Sequence, residues 1–422
     1  MIIVKIALGK DYLTQQEIKE TLWEAFGKLG DKKRVLAVPP DITRYHSFAG
    51  YLTDLTYEYY GEKLIDVLPA LGTHKEMTEK EIDFMYPTVP YGLFRYHDWR
   101  HGLSTLGAVP PEYVREISEN KVDYSIPVQV DKLLTEGNHD LILSIGQVVP
   151  HEVSGMANYT KNIFIGTGGS EGINKSHFLG AAYGMERIMG RANTPVRKVL
   201  NYGADNFAKH LPIVYIMTVV GKDENGKLGV KGLFIGDEHE CFNQAAELSL
   251  KENFIMLDKP LKKVVVFLEP SEFKTTWLGN KSIYRTRMAI DDGGELIVLA
   301  PAVKGFGEDE GNDKIIRKYG YVGIDRVLKL TKENKDLQNA LGASAHLIHG
   351  SSEGRFDITY CPGNLTKDEI ESINFKYGDL NKMTEKYDPV KLKDGYNIVD
   401  GEEIFYISNP ALGLWAYKDR FK

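Results

Sequence analysis

LIDVLPALGTH, residues 64–74, is the stretch of sequence that most clearly indicates how this chain folds. It is an apolar run, typical of a buried strand, and it ends in Gly72, Thr73 and His74. A similar run, LILSIGQVVP at residues 141–150, is followed directly by His151. In α/β proteins, ligands and catalytic groups collect beyond the carboxyl ends of strands. The two runs therefore predict an α/β fold with imidazoles gathered at one edge of a sheet, where they would suit proton transfer or metal binding.

Short apolar runs alternate with amphipathic stretches along the whole chain, which is the pattern of α/β construction. A second α/β unit begins near Leu261, and we place a domain boundary near residue 258. The sequence thus predicts two α/β domains, residues 1–258 and 259–422, with the active site in the cleft between them. The strands expected from apolar runs cover residues 1–9, 34–38, 64–71, 140–145, 163–165, 213–220, 229–235, 263–268, 295–301, 345–349 and 356–360. The expected helices cover residues 13–29, 48–60, 178–189, 238–251 and 280–289, with a further start at Thr78, where Glu81 completes a capping box.

Composition excludes several classes of function. The chain has 422 residues, of which 42% are hydrophobic and 26% charged, as is ordinary for a globular protein with a large core. The net charge of −7 gives no support to a nucleic-acid or anionic-membrane partner. There are two cysteines, far apart in sequence, so a structural zinc site is not expected. No apolar stretch of membrane-spanning length and no charged leader is present, and we expect a cytoplasmic enzyme.

A glycine-rich segment, GTGGSEG at residues 166–172, suggests one alternative function. If it follows a strand at 163–165 and precedes a helix, its backbone N–H groups could bind phosphate. The dinucleotide fingerprint requires a further glycine where this chain has Glu171. An ordinary turn explains the segment equally well, and an NAD-dependent hydroxyacid oxidoreductase stays an alternative.

Two further groups of residues carry candidate chemistry. Residues 41–44 supply the carboxylate of Asp41, the hydroxyl of Thr43 and the guanidinium of Arg44, which suits a bidentate grip on a carboxylate or phosphate. A helix N-cap with a surface salt bridge would also explain them. His74 and His151 could act as general acid and base, and on opposite faces of a substrate they would suit inversion of a stereocentre.

The order and spacing of these residues resemble those of the lactate racemase family of nickel-pincer nucleotide enzymes. The matching motifs are Asp-x-Thr-Arg at 41–44, Gly-x-His at 72–74, Pro-His at 150–151, a lysine ten residues later at Lys161, and a histidine sixteen residues after that at His177. The resemblance runs through most of the chain.

The resemblance implies a mechanism and a role for each residue. A pyridinium mononucleotide carrying nickel in a carbon–sulfur pincer would be held at Lys161, covalently or not, with His177 completing the nickel coordination. Asp41 and Thr43 would belong to the cofactor-binding set. His74 and His151 would exchange the hydroxyl proton of a 2-hydroxy acid while its C2 hydride is removed and returned through a 2-keto acid. The remaining implied residues are cations that would hold the substrate, Arg44 and, from the second domain, Lys281.

The chain departs from the family pattern around the substrate and cofactor. Residues 157–161 read Ala-Asn-Tyr-Thr-Lys where Ser-Gly-Gly-x-Lys is common, Tyr45 and His46 follow Arg44 in place of proline, and Leu278 stands where glutamine is usual. These changes favour a larger hydroxy acid such as an aldonate (a sugar acid) at least as much as lactate. The nickel nucleotide would come from separate cofactor-making enzymes. A non-catalytic sugar-acid binding protein is a second alternative.

His97, in the sequence His97-Asp98-Trp99-Arg100-His101, is the main rival of His74 as the first base. We favour His74 because a rigid strand end positions a base better than an irregular aromatic loop. In that loop His97 is expected to pair with Asp98. The other histidines are expected to be structural or exposed, namely His46, His139, His210, His239, His346 and His349.

Overall fold

The computed structural model describes residues 2–223 and 226–421. The chain forms two compact units, one made of Met1–Leu179 with Ile188–Asn253, the other of Gly180–Arg187 with Phe254–Lys422. Each unit contains a largely parallel sheet with helices, so the predicted class of two α/β domains is confirmed. The main segment of the second unit begins at Phe254, close to the predicted boundary at 258, but Gly180–Arg187, from the predicted first domain, also belongs to this unit. The roles assigned to the two domains stay predictions.

The first unit is built on a six-stranded sheet with the order β1-β10-β9-β6-β2-β3. β2 runs parallel to β3 and β6, and β6 runs parallel to β9, whereas β10 is antiparallel to both β9 and β1. Small antiparallel pairs form between β4 and β5 and between β7 and β8. The strands of this unit are β1 Ile2–Ile6, β2 Val35–Val38, β3 Leu64–Val67, β4 Leu103–Val109, β5 Ile126–Asp131, β6 Leu141–Gln147, β7 Pro150–His151, β8 Gly155–Met156, β9 Ile213–Lys222 and β10 Leu228–Gly236.

The helices of the first unit follow the apolar periodicity of the sequence. The first of them buries Ile18, Leu22, Ala25 and Phe26, which is the predicted face, and a capping box of Thr14 and Glu17 begins it. The predicted capping box of Thr78 and Glu81 is confirmed as well. The helices are α1 Gln15–Leu29, α2 Ala49–Tyr60, α3 Glu79–Met85, α4 Pro111–Ile117, α5 Lys132–Glu136, α6 Thr160–Phe164, α7 Ser170–Tyr183, α8 Pro195–Phe207 and α9 His239–Asn253.

The second unit has a six-stranded sheet of order β15-β14-β13-β12-β17-β16, parallel except between β16 and β17. β11 and β18 form a separate parallel pair. Its strands are β11 Ile255–Leu257, β12 Leu261–Phe267, β13 Ile290–Ala300, β14 Asp357–Pro362, β15 Lys376–Tyr377, β16 Gly395–Val399, β17 Glu402–Ile407 and β18 Trp415–Tyr417. Its helices are α10 Thr276–Gly279, α11 Lys281–Tyr284, α12 Glu310–Tyr319, α13 Ile324–Glu333, α14 Lys335–Asn339, α15 Leu341–His349, α16 Lys367–Ser372 and α17 Leu380–Lys386.

Several predicted elements were wrong. Residues 163–165 and 345–349, expected as strands, lie in or directly after helices α6 and α15. Short apolar runs that are buried on all sides do not distinguish a strand from a helix, because both give the same pattern. The helix expected at 178–189 is α7, which begins eight residues earlier and ends at Tyr183. The helix expected at 280–289 is reduced to α11, and β13 begins before the turn predicted at 292–294.

The turn predicted at Asp223-Glu224-Asn225-Gly226 lies partly outside the described residues. The strands on either side of it, β9 and β10, pair in antiparallel register as expected. Within residues 2–223 and 226–421, no helix is long and apolar enough to span a membrane.

Candidate active site

Three parallel strands of the first unit bring the predicted residues to one edge of the sheet. β3, β2 and β6 are neighbours, and each is followed by a segment with a candidate side chain. Asp41 comes after β2, His74 after β3 and His151 after β6. Because the carboxyl ends of parallel strands lie at the same edge, the topology collects these three residues there.

The segment after β2 is a short 3-10 helix, Ile42–Ser47, that Asp41 begins as its N-cap. The Asp41 carboxylate accepts hydrogen bonds from the backbone N–H of Thr43, at 3.1 Å, and from the Thr43 hydroxyl. Asp41 is buried, whereas Thr43 and Arg44 are exposed. The N-cap interpretation of this motif is therefore correct, and the cap leaves a second carboxylate oxygen for another partner.

That partner is His74. Its Nδ1 lies 2.6 Å from Oδ2 of Asp41, and its side chain is 61% exposed while that of Asp41 is 6% exposed. Since a carboxylate only accepts hydrogen bonds, Nδ1 donates and, in the neutral ring, Nε2 carries the lone pair. His74 is thus oriented as a base by a buried carboxylate.

His151 is buried and has the opposite tautomer. The backbone N–H of Val153 donates to its Nδ1 at 3.0 Å, so in the neutral ring the proton lies on Nε2. Burial holds the pKa of His151 well below its usual range. The charges of Lys161 and Arg44 lower that pKa further, against an opposing effect of Glu152. The Glu152 carboxylate lies 3.9 Å from Nδ1 of His151.

Lys161 lies in the first turn of α6. Burial lowers its pKa to about 8, and Arg44 and Arg197 add to this effect, while Glu152 and Asp41 oppose it. A lysine with such a pKa has a substantial share of neutral, nucleophilic amine near neutral pH. It is a suitable residue for covalent attachment of an electrophilic cofactor.

His177 lies in α7, and its Nδ1 is 2.6 Å from the carbonyl oxygen of Ile173, one turn earlier. A carbonyl can only accept, so Nδ1 donates and Nε2 is left with its lone pair. Burial lowers the pKa of His177 to about 4, which keeps the ring neutral at physiological pH. A neutral imidazole whose other nitrogen is fixed by a hydrogen bond is the usual state of a metal-ligating histidine.

Lys281 begins α11 in the second unit. Its Nζ lies 4.0 Å from Oε1 of Glu272 and 5.6 Å from the ring centroid of Phe273. Its role toward a substrate stays a prediction.

The sequence reasoning missed two charged residues near the site. Glu152 is the neighbour of His151 in sequence, and its carboxylate opposes the positive charges around Lys161. Its position directly after His151 in the sequence was the one local indication that Glu152 belongs to the site. Arg197 contacts the segment before Lys161 from helix α8, and no local motif indicates this contact.

His97 was expected to pair with Asp98, but the structure does not show this pair. It is fully buried, with Nδ1 2.8 Å from the carboxylate of Asp131 and Nε2 3.1 Å from the carbonyl oxygen of Gly168. Both ring nitrogens are therefore used in structural hydrogen bonds. This geometry favours His74 over His97 as the exposed base of the site.

The glycine-rich segment 166–172 follows helix α6 and not a strand. A Cβ on Gly166 would lie 2.3 Å from the carbonyl oxygen of Asn162, and one on Gly168 would lie 2.0 Å from that of Phe164. A side chain at either position would clash with a carbonyl oxygen of α6, so these glycines let the chain turn closely past the end of that helix. The strand-turn-helix context of a dinucleotide site is not present here.

We expect Asp41 to contribute to the pH dependence of folding. Burial alone would raise its pKa, but hydrogen bonding and the charge of His74, with hydrogen bonds from Thr43, outweigh burial and lower it. A lowered carboxyl pKa stabilises the fold above the unfolded-state value of about 3.9, and this contribution is lost as pH falls through the folded-state pKa. In urea unfolding, the stability of the native chain relative to Asp41→Asn should therefore shrink as the pH is lowered from 7 toward 3.

Asp54 provides a control of opposite sign. Burial raises its pKa despite hydrogen bonds from Thr88, so the native chain should gain stability relative to Asp54→Asn over the same pH range. A difference between the native chain and Asp41→Asn that stays constant with pH would contradict the assignment.

Among residues 2–223 and 226–421, no group of three or more His, Cys, Asp or Glu side chains is arranged to hold a metal ion. A nickel centre that brings its own carbon and sulfur donors needs only one protein ligand, and the lone pair on Nε2 of His177 can supply it. Lys161 offers a partly neutral amine for attachment. The residues present thus fit a self-ligated nickel cofactor better than a metal ion held by protein alone.

Comparison with known proteins supports the resemblance. Residues 15–187 match the family model of the lactate racemase N-terminal domain. A crystal structure of a protein from Thermotoga maritima shares 25% sequence identity, with a TM-score of 0.80, over 97% of this chain and 100% of that one. The lactate racemase apoprotein from Thermoanaerobacterium thermosaccharolyticum has the same fold, with a TM-score of 0.69 and 16% identity over 96% of this chain and 90% of that one. No curated protein sequence matches this chain.

Proposed function

We propose that the chain belongs to the lactate racemase family, whose N-terminal domain model matches residues 15–187, and that it inverts C2 of a 2-hydroxy acid with a nickel-pincer nucleotide as cofactor. The enzyme is then an isomerase, and the cofactor comes from separate cofactor-making enzymes. One observation carries the proposal. The buried carboxylate of Asp41 orients His74 as a base, at the same edge of the parallel sheet to which β6 brings the buried His151.

The two histidines are suited to move the hydroxyl proton. His74 has Nδ1 bonded to Asp41, and its Nε2 can accept the proton from the C2 hydroxyl of one enantiomer. His151 has its Nδ1 occupied by the N–H of Val153, so Nε2 is the atom that it turns toward substrate. With one ring on each face of C2, the proton removed on one side is replaced on the other.

Cations at the site are suited to hold the carboxylate. Arg44 is exposed and lies within electrostatic range of both His151 and Lys161. Its guanidinium can bind a carboxylate through two hydrogen bonds, which would fix the orientation of C2 between the two histidines. Lys281 is proposed as a second cation for the substrate.

The cofactor would be held by Lys161 and His177, with Asp41 and Thr43 in the same binding set. The chemistry supplied at this position would be reversible acceptance of the C2 hydride, with a 2-keto acid as the oxidised form of the substrate. Burial of Lys161 and His177 keeps the amine partly neutral and the imidazole neutral, the forms that attachment and metal ligation require.

We propose an aldonate or lactate as the substrate. Support for the larger acid comes from the residues after Arg44. Tyr45 is 47% exposed, and its ring lies 3.6 Å from that of His46, centroid to centroid. These side chains offer ring faces and polar groups that could contact the polyhydroxy chain of an aldonate. Lactate has no such chain.

Chiral analysis of single-enantiomer substrates tests the proposal. The chain, co-produced with cofactor-making enzymes, is incubated with D- and L-lactate and with aldonates that differ at C2, each deuterated at C2. We expect inversion of at least one pair with deuterium kept at C2, because the hydride is returned and not exchanged with water. His210→Ala, a change at an exposed histidine outside the site, should invert substrate at the native rate. Cofactor-loaded chain that inverts none of these acids would contradict the proposal.

A further inference from the structure

The backbone directly before Lys161 is strained. Asn158 has φ of 64° and Tyr159 has φ of 58° with ψ of −136°. Asparagine tolerates positive φ, but a bulky aromatic residue there is a genuine outlier. Such strain persists only where the surrounding structure imposes it, and it concentrates at functional sites.

Arg197, in helix α8, holds this segment in place. Its guanidinium donates to the carbonyl oxygens of Asn158, at 3.1 Å, and Met156, at 2.7 Å, and to the hydroxyl of Thr160, at 2.8 Å. Arg197 is only 2% exposed, and its Nε is buried without a hydrogen-bond partner among the described residues. Burying a cation against neutral acceptors is costly, so a purely structural contact is a poor explanation for it.

A second set of contacts fixes the Tyr159 side chain. Its ring is stacked on Phe242, with centroids 5.1 Å apart, and its hydroxyl lies 3.0 Å from Nδ1 of His239. The Arg197 guanidinium also lies 4.3 Å from the centroid of the Phe242 ring and 5.9 Å from that of Tyr159, so the same arginine contacts the backbone of the segment and the packing of its one large side chain.

We propose that Arg197 is a positioning residue, which holds residues 156–160 in this strained conformation and so directs the Lys161 side chain toward Arg44 and His151. This inference rests on the proposed function, because it identifies Arg197 as the residue that orients the lysine proposed to hold the cofactor. It does not depend on the identity of the substrate.

The titration of Lys161 reports its position in the chain without cofactor. Its amine is faced by six charged or titratable groups, whose balance with burial sets its pKa: Arg44, Glu152, Arg197, Asp41, His151 and His177. If the segment relaxes, Lys161 becomes better hydrated, and its pKa returns toward the ordinary value of about 10.4.

The test is pulse acetylation of the full chain with acetic anhydride across pH, read by peptide mass spectrometry at Lys161. In the native chain we expect the labelling rate to reach half its maximum near pH 8. Arg197→Met should raise this midpoint by about one pH unit, so that labelling below the midpoint becomes about tenfold slower. Because the charge of Arg197 itself lowers the Lys161 pKa, Arg197→Lys, which keeps the charge but loses the forked set of donors, should also raise the midpoint if Arg197 positions the segment. Thr160→Val, which removes one acceptor of Arg197 and keeps the residue's size, should move the midpoint in the same direction by less. Lys198→Met, the loss of an exposed cation on the same helix, should leave it unchanged.

The outcomes separate this inference from the proposed function. If Arg197→Met does not fold, Thr160→Val carries the test. Folded variants in which the Lys161 midpoint does not move would overturn the positioning role, whatever the enzyme does. A midpoint that shifts as expected, in a chain that never acquires a cofactor, would uphold the positioning role and count against the proposed function alone.

Discussion

Replacing His151 by alanine is expected to abolish most turnover without loss of nickel. A positioned acid–base group contributes typically about 10²- to 10⁴-fold to a rate, and His151→Ala should reduce kcat by this factor. The imidazole is buried, and Nε2 is the nitrogen left for substrate because Nδ1 accepts from Val153. Nickel should stay, since the proposed metal ligand is His177. Kinetics and elemental analysis on the same preparation measure both quantities.

The matching change at the other proposed base is His74→Ala. Because His74 is exposed and oriented by Asp41, its loss should also lower turnover and leave the nickel content unchanged. His210→Ala is the control for loss of a histidine at an exposed position away from the site. Turnover retained in both His74→Ala and His151→Ala would remove the two-base mechanism.

The second large effect is expected at His177. His177→Ala should reduce nickel from about one ion per chain to background and, with it, all turnover. The physical reason is that Nδ1 is committed to the carbonyl of Ile173, which leaves Nε2 as the ligand atom. Neighbouring side chains cannot replace His177 as the ligand, because the described part of the chain contains no cluster of other potential metal ligands.

A surface histidine provides the control for adventitious nickel. The His101 side chain is 80% exposed, and His101→Ala should keep both nickel and turnover. Full nickel content in His177→Ala, measured after removal of loosely bound metal, would show that another group holds the ion.

The parts of the fold that the sequence predicted are those with a local physical signal. Helix α1 has a complete apolar face within residues 15–29, and the start of α3 has the capping box of Thr78 and Glu81. The parallel strands β2, β3 and β6 are apolar runs followed by polar residues, so the edge that carries Asp41, His74 and His151 could be predicted. The structure confirms the α/β class, and the match of residues 15–187 to the lactate racemase N-terminal domain supports the family resemblance.

The failures have non-local causes. Residues 163–165 form a helical segment because residues 157–160 turn the chain before them and close glycine contacts at 166–168 follow, and none of this is encoded in a three-residue apolar run. His97 pairs with Asp131, 34 residues away, and Arg197 reaches residues 156–160 from helix α8. Contacts between residues so far apart leave no pattern in a single sequence. The hydrogen bond between His97 and Asp131, and the contact of Arg197 with residues 156–160, therefore could not be predicted.

Intact-protein mass spectrometry with elemental nickel analysis tests the central claim most directly. The chain is produced together with the cofactor-making enzymes, and the adduct is located by peptide mapping. We predict an added mass of nucleotide size at Lys161 with about one nickel per chain. Lys161→Arg should lose the covalent adduct while keeping a positive charge at that position. Neither adduct nor nickel in the native chain under these conditions would contradict the assignment of nickel-pincer chemistry.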